Sequence, residues 1–341
     1  MRNKSPHPMD RNGKSHRLPA VQKRVQTAFR FCLISGWVFA AAFLILVSSA
    51  SAAPRAQHVF IISIDGGKPA VIAQSSMPEL SRLVTEGGCT WEARTINPSI
   101  TLPSHTSMLT GVEPRKHKVT WNTWKPGAGT VQVPTVFSIA KEAGFSTAMF
   151  VGKEKFKHLL VPNSVDHFEF DEAMGSAVVT SVVGDSKPRK TSTVSAKIVA
   201  ASAASHIRNA KPDLCFIHFT DPDDAGHKHG WGSPQQIKAF ADVDQALAQV
   251  TLAIRDAGLA KSSVLIITAD HGGHAKTHGG KTPDDMTIPW IVWGCGVKNQ
   301  FSITSPVNTC DTTATALWLL GIPQPRSLQG LPVKAAFSFA D

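Results

Sequence analysis

Three short apolar runs, each ending in an aspartate, constrain this chain more than any other feature. They are "VFIISID" closing at Asp65, "LCFIHFTD" closing at Asp221 with Asp223 two residues on, and "VLIITAD" closing at Asp270. Unbroken Val, Ile, Leu and Phe runs of this length read as strands buried on both faces, the pattern of a parallel sheet covered by helices. Between the second and third, Ser233 and Pro234 open a helix. Its apolar stripe is Ile237, Phe240, Leu247, Val250 and Ile254, and Gly258 marks its end. Strand, helix and strand in that order imply a right-handed parallel crossover. Further helices are expected at 77–86, 135–143, 193–209 and 312–320, and a further strand near 146–151. The fold class expected is α/β, a mostly parallel central sheet with helices on both faces.

The first 52 residues read differently. Eight basic residues and one acid, Asp10, precede or flank an uncharged 17-residue run, "FCLISGWVFAAAFLILV", which is followed by the small residues "SSASAAP". Basic, apolar and small in that order is a secretory signal with cleavage after Ala52, and a retained membrane anchor is the alternative. Setting this segment aside leaves 27 basic against 24 acidic residues, so the formal +10 of the whole chain falls to +3. The basic excess belongs to the tail, where it favours the cytoplasmic side of a membrane, and implies no nucleic-acid binding. Membrane contact follows only if the segment stays uncleaved; the expected location is periplasmic or extracellular. Residues 53–341 read as one α/β domain. The polar, basic stretch at about 152–192, with "GDSKPRKTST", reads as an insertion or lid over the site. Four cysteines remain. Cys295 and Cys310 could bridge the ends of a loop, and Cys215, inside an apolar run, reads as a buried thiol.

Ligands of parallel sheets bind beyond the carboxyl ends of the strands, so aspartates placed there from three strands should converge. Two of them sit beside histidines. In "DPDDAGHKHG", Asp223 and His227 are four apart and can meet one ion; in "DHGGHAKTHGG", His271 adjoins Asp270 and two more histidines follow. Mixed carboxylate and imidazole sets suit zinc, and manganese as the alternative. Any one of these histidines alone would read as an ordinary surface or core residue. Thr101, in "TLPSH", stands at the mouth of a helix expected from 102–103. By itself it reads as an N-cap. Beside metal ions it reads as a nucleophile, activated by coordination and by the positive end of the helix. His105, one turn further along, could orient a neighbouring ligand.

Taken in order, "ISIDG", "TLPSH", "PDDAGH" and "ADHGG" resemble the alkaline phosphatase superfamily, and within it the type I phosphodiesterase/nucleotide pyrophosphatase family, over nearly all of residues 57–330. The resemblance implies an alkaline-phosphatase-like catalytic domain with two divalent metal ions, usually zinc. One would be held by Asp65, Thr101, Asp270 and His271, and the other by Asp223, His227 and a later histidine. That histidine is His278 by its trailing "MTIPWIVWGCG", with His274 as the rival. Asn122, in "HKVTWN", stands where the family binds a phosphoryl oxygen, the bland alternative being a turn asparagine. Lys153 could reach the substrate, whereas Asp224 and His229 match no ligand position and read as surface or supporting groups. The activity implied is hydrolysis of small phosphate diesters or pyrophosphate-type bonds through a phosphothreonine intermediate. A phosphomonoesterase, phosphonate hydrolase or phosphoethanolamine transferase could use the same parts. A sulfatase fits less well, because Thr101 cannot become formylglycine. A metal- or phosphate-binding protein without turnover is the reading from another class.

Overall fold

The computed structural model describes residues 53–170, 176–180 and 189–339. The signal or anchor expected over 1–52 therefore lies outside the described residues. Among those described, no helix is long and apolar enough to cross a membrane.

The apolar runs become β1 (His58–Ile64), β7 (Leu214–Phe219) and β8 (Ser263–Thr268), with every residue of each buried. The remaining strands are β2 (Gly88–Arg94), β3 (Thr147–Val151), β4 (His167–Glu169), β5 (Ser176–Thr180), β6 (Arg189–Thr193), β9 (Thr287–Gly294) and β10 (Phe301–Ser302). Eight of them form one sheet in the order β10-β2-β9-β8-β1-β7-β3-β4, in which β9 alone runs against its neighbours. The seven principal helices are α1 (Pro78–Thr85), α2 (Thr101–Thr110), α3 (Val136–Glu142), α4 (Ala196–Ala210), α5 (Asp221–His229), α6 (Pro234–Asp256) and α7 (Asp311–Leu319). Ser233 caps α6 by accepting a hydrogen bond from Gln236 N at 3.3 Å.

The alternation of β1 sorts the core into two layers, since successive side chains of a strand point to opposite faces. Val59 and Ile61 pack with α2, α3 and α7, through residues such as Leu102, Phe137 and Leu317. Phe60, Ile62 and Ile64 pack with α1, α4 and α6, through Leu83, Ala203 and Phe240. The sheet is thus covered on both faces, as the continuous apolar runs require.

Register places the chemistry. Ser63 is level with Thr268 and Ile64 with Phe219, so Asp65, Thr220 and Asp270 leave the three central strands at one height. Gly66, at φ +71°, turns the chain immediately beyond β1. That left-handed conformation suits glycine and lets Gly66 N donate to Asp270 Oδ1 at 3.1 Å.

β9 was not expected from the sequence, and its Pro289 is the reason: proline cannot donate to a strand ladder. The pairing of β2 with β9 runs Thr90↔Trp290 and then Ala93↔Ile288, so a bulge at Trp91 and Glu92 faces the proline and absorbs the missing donor. The stretch 152–192 is divided. A 3-10 segment (Glu154–Leu159) follows β3, β4 joins the main sheet beside β3, and β5 pairs with β6 as a separate hairpin.

The bridge between Cys295 and Cys310 is corrected: Cys89, Cys215, Cys295 and Cys310 are all free thiols. Cys295 follows the last residue of β9, whereas Cys310 lies near Asn308, which pairs with Arg94 opposite the first residue of β9. The length of that strand, roughly 25 Å at ~3.3 Å per residue, separates them, far beyond the reach of a disulfide.

All ten residues of α2 are buried although six are Ser, Thr or His. Its hydroxyls turn back on the helix or on its neighbours: Thr106 donates to Leu102 O, Thr110 to Thr106 O and Ser104 to Asp270 O. Ser107 meets His117 Nε2 at 2.9 Å, and His117 Nδ1 accepts from Val119 N at 3.0 Å. That network requires neutral His117, and burial pushes its pKa down to about 4. The unfolded chain, at the ordinary value near ~6.5, therefore takes up the proton first as pH falls. Stability is complete above that value and is lost on the way down to the folded pKa. Between pH 7 and 5 the wild type should lose about 2 kcal/mol more than a His117→Gln variant, which has no such proton to bind. Urea unfolding of both proteins at the two pH values measures this, and parallel losses would refute it.

Candidate metal centre

Beyond the carboxyl ends of β1, β7 and β8, the structure gathers Asp65, Thr101, Asp223, His227, Asp270, His271 and His278. Asp65 follows β1, Asp270 and His271 follow β8, and Thr101 is the first residue of α2. Asp223 and His227 lie one turn apart on α5, which brings His227 Nε2 to 3.4 Å from Asp223 Oδ1. His278 comes from the loop after β8, with its Nε2 3.6 Å from Asp223 Oδ1 and 3.1 Å from His227 Nε2. Asp65, Asp223, Asp270 and His271 are fully or almost fully buried, and Thr101 is 1% exposed.

Two sets of atoms result. Around Asp223, the three ligand-type atoms lie 3.1 to 3.6 Å apart. Around His271, its Nε2 lies 3.4 Å from Asp65 Oδ1, 3.2 Å from Asp270 Oδ2 and 3.5 Å from Thr101 Oγ1. Bonds of ~2.0–2.1 Å at tetrahedral angles set neighbouring ligand atoms ~3.3 Å apart, so both sets have the spacing of a small divalent cation. Asp223, His271 and His278, and separately Asp65, Asp270 and His271, can each hold one.

The hydrogen bonds make the same case from the other side. His227 Nδ1 contacts Lys276 O, His278 Nδ1 contacts Ser99 O, and His271 Nδ1 contacts Gly272 O, all at 2.8 to 3.0 Å. A carbonyl only accepts, so each Nδ1 carries the proton and each Nε2 presents a bare lone pair to the cluster. Asp65 Oδ1, Asp223 Oδ1 and Asp270 Oδ2 are buried without a hydrogen-bond partner. Lone pairs facing lone pairs in a buried site need a cation to hold them together.

The surrounding charges are uneven. Lys153 donates to Asp65 Oδ2 at 2.7 Å and to Asp223 Oδ2 at 2.5 Å, between the two sets. Burial works against its ammonium, but Asp223 and Asp65 outweigh it and hold its pKa well above the ordinary value. Burial likewise opposes ionised Asp65, and Lys153 and then His218 overcome that, keeping its pKa low. Asp270 has no such partner; burial, then Asp65 and Asp223, raise its pKa well above the usual carboxylate range.

Further side chains support these. His218, on β7, meets Asp65 Oδ2 at 3.0 Å. His105 donates from Nδ1 to Thr101 O at 2.8 Å, accepts from Ser63 Oγ through Nε2 at 2.8 Å, and lies 3.4 Å from Asp270 Oδ2. It thus holds the first turn of α2 beside a carboxylate. Trp231 leans on His227 and His278 and donates to Gly66 O at 3.3 Å. Its indole fits because position 273 is glycine: a Cβ there would stand 2.2 Å from the ring. Sequence reasoning missed His218 and Trp231. The signal for His218 was present, a lone imidazole inside an otherwise apolar strand; Trp231 had none.

Asn122 accepts at Oδ1 from Leu102 N, 2.9 Å away, and from Lys155 Nζ, 3.2 Å away. Two donors on one oxygen fix the amide's orientation and leave its NH2 for another acceptor. Burial, then Lys153, push the Lys155 ammonium down to about 8.

Several expected residues lie apart. Asp221, the first residue of α5, accepts from Ala196 N at 2.7 Å, at the start of α4, and Asp223 is the aspartate in the cluster. His274 pairs with Asp285 at 2.7 Å and leaves His278 as the histidine within reach. His229 is exposed, as a surface residue should be. Asp224 is half-buried, and burial raises its pKa to about 7. Thr101 is not the cap of α2: Ile100 holds that position and makes no side-chain bond.

Comparison with known proteins places the chain in a family. Arylsulfatase K of Danio rerio is 32% identical over 126 residues, 34% of this chain and 22% of that protein. Ectonucleotide pyrophosphatase/phosphodiesterase family member 1 of Mus musculus is 26% identical over 203 residues, 58% of this chain and 21% of that protein. The chain spans about a fifth of the length of each of these relatives. Its fold matches an inactive form of murine ectonucleotide pyrophosphatase/phosphodiesterase 5 in complex with AMP, with a TM-score of 0.67 at 14% identity over 83% of this chain and 100% of that one. The model of the family described as type I phosphodiesterase / nucleotide pyrophosphatase matches residues 59–282, and the chain belongs to that family.

Proposed function

We propose that this protein is a two-metal hydrolase of phosphate diester or pyrophosphate-type bonds, working through a phosphothreonine intermediate. The observation that carries the proposal is the convergence of the Thr101 hydroxyl with three bare imidazole nitrogens and three partnerless carboxylate oxygens. One divalent ion would be held by Asp65, Thr101, Asp270 and His271, and the other by Asp223, His227 and His278. The donor set suits zinc, with manganese as the alternative. When bound, such a pair lowers the pKa of a coordinated hydroxyl and neutralises the oxygens around phosphorus.

The chain's own residues supply the rest. Thr101 Oγ1 forms the bond to phosphorus as the bond to the leaving oxygen breaks in line behind it, and its proton passes to solvent. Water then cleaves the phosphothreonine and restores the hydroxyl. The start of α2 adds its positive end at Thr101, and the Asn122 amide donates to a phosphoryl oxygen. His105 and His218 hold Thr101 and Asp65 in place. Such a site works by positioning and charge stabilisation more than by proton transfer. The relatives named as ectoenzymes, together with the basic-then-apolar residues 1–52, support an exported protein acting on a small phosphate ester.

The test is hydrolysis of bis-p-nitrophenyl phosphate, p-nitrophenyl phosphate and p-nitrophenyl sulfate by the zinc-loaded protein, with and without EDTA. The diester should be cleaved fastest, EDTA should abolish turnover, and zinc or manganese should restore it. Faster monoester cleavage would make the protein a phosphatase, and faster sulfate cleavage a sulfatase. Bound metal without turnover of any ester would make it a binding protein.

A further inference from the structure

Three lysines alternate along the turn after β3, and each has a different counterpart. Lys153 lies on Asp65 and Asp223. Lys157 pairs with Glu154 at 3.0 Å. Lys155, half-buried between them, enters no ion pair among the described residues, and its ammonium bonds to a neutral atom, Asn122 Oδ1, at 3.2 Å. Withdrawing an ammonium from water without a counter-charge is costly, and an amide dipole compensates only part of the loss.

The same amide oxygen also accepts the N–H of Leu102, the residue next to Thr101. Two positive groups, the first turn of α2 and the Lys155 ammonium, are therefore tied to one atom at the edge of the reacting centre. An ammonium has three donors, and Asn122 uses one, leaving two for an incoming ligand. Among the described residues the Lys155 ammonium bonds only to Asn122, and Asp65, Asp223 and Asp270 act on it from beyond ion-pair distance.

We propose that Lys155 is a specificity-determining residue that reads a second negative charge on the substrate. An anionic oxygen of the phosphoryl group itself, or of the phosphate adjoining it, would supply the counter-charge the protein withholds. The inference rests on the phosphoesterase reading and deepens it. Lys155 contributes more to turnover of pyrophosphate-type or monoester groups than of a diester that bears a single charge, whichever the wild type cleaves fastest.

The experiment compares wild type, Lys155→Met and Lys155→Arg, each zinc-loaded, on three substrates. Bis-p-nitrophenyl phosphate carries one charge, p-nitrophenyl phosphate places a second on the transferred group, and ATP places it on the adjoining phosphates. Lys155→Met should lower kcat/KM on one or both doubly charged substrates about 10- to 100-fold more than on the diester, the scale of a charge-assisted hydrogen bond. Selective loss on p-nitrophenyl phosphate places the charge on the transferred group, and selective loss on ATP places it on the neighbour. Lys155→Arg should recover most of the difference. Calorimetry gives a readout without turnover: the Lys155→Met variant should lose about tenfold or more in affinity for inorganic phosphate relative to dimethyl phosphate. Equal losses on all three substrates would mean that Lys155 only positions Asn122, and an unchanged ratio would mean it touches no substrate. Either result overturns the proposal. Should the wild type cleave none of the three and yet bind phosphate through Lys155, the catalytic reading fails and this one stands.

Discussion

Replacing Thr101 with alanine should lower kcat/KM for diester cleavage by about 10³- to 10⁶-fold, the range seen when a covalent nucleophile is removed from an otherwise intact site. The residue is 1% exposed, and its hydroxyl lies 3.5 Å from His271 Nε2. Its side chain caps nothing, because the cap position of α2 belongs to Ile100. The neighbouring N–H of Leu102 is satisfied by Asn122 instead. Thr101→Ala should therefore leave thermal stability within about 1 kcal/mol of wild type while abolishing turnover. Thr101→Ser keeps the hydroxyl and should restore most of the activity. The opposite pattern, a stability loss with activity retained, would reduce Thr101 to a packing residue. Rapid-quench trapping of a phosphorylated wild-type protein, absent from Thr101→Ala, would identify the intermediate directly.

The parallel sheet was legible because its three central strands are continuous apolar runs, as strands buried on both faces require. The convergence of Asp65 with Asp270 was legible for the same reason, since strands of equal length in register end level. Asp223 was legible over Asp221 from its four-residue spacing to His227. Both follow β7, and what the sequence did not show is where Asp221 goes: the start of α4 occupies it through Ala196 N. His278 was preferred to His274 by the segment that trails it; the pairing of His274 with Asp285, eleven residues away, was not legible. β9 hid behind Pro289, a residue that normally excludes a strand interior, because the compensating bulge sits on another strand some 200 residues earlier in the chain. Lys155 shows the limit most clearly. Its spacing from Lys153 and Lys157 was visible, but what each ammonium meets depends on Asn122, Asp65 and Glu154, which come from three different elements.

Asp270→Asn should reverse its effect on stability according to whether metal is bound. Asp270 Oδ1 accepts from Gly66 N and His271 N, whereas Oδ2 is buried without a hydrogen-bond partner, 3.2 Å from His271 Nε2. In protein stripped of metal, Lys153 pairs with two of the three buried carboxylates, and Asp270 is the one it does not touch. Asparagine keeps the accepting oxygen, removes one charge, and turns an amide N–H toward the bare nitrogen of His271. In EDTA the variant should melt above wild type, by the ~1–3 kcal/mol that relief of one uncompensated buried group is worth. For a domain of this size that is several degrees, at roughly 2–4 °C per kcal/mol. In zinc the order should invert. Wild type gains about 2.7 kcal/mol for ligand at a hundred times its dissociation constant, and the variant loses the tight binding that produces the gain. Metal analysis should find two ions per wild-type chain and one per Asp270→Asn chain. A variant less stable than wild type in EDTA would show that Asp270 is paired after all. An equal zinc increment in both proteins would show that the ion is held elsewhere. The crossing, if it appears, is the signature of a carboxylate retained for a cation at the expense of the empty fold.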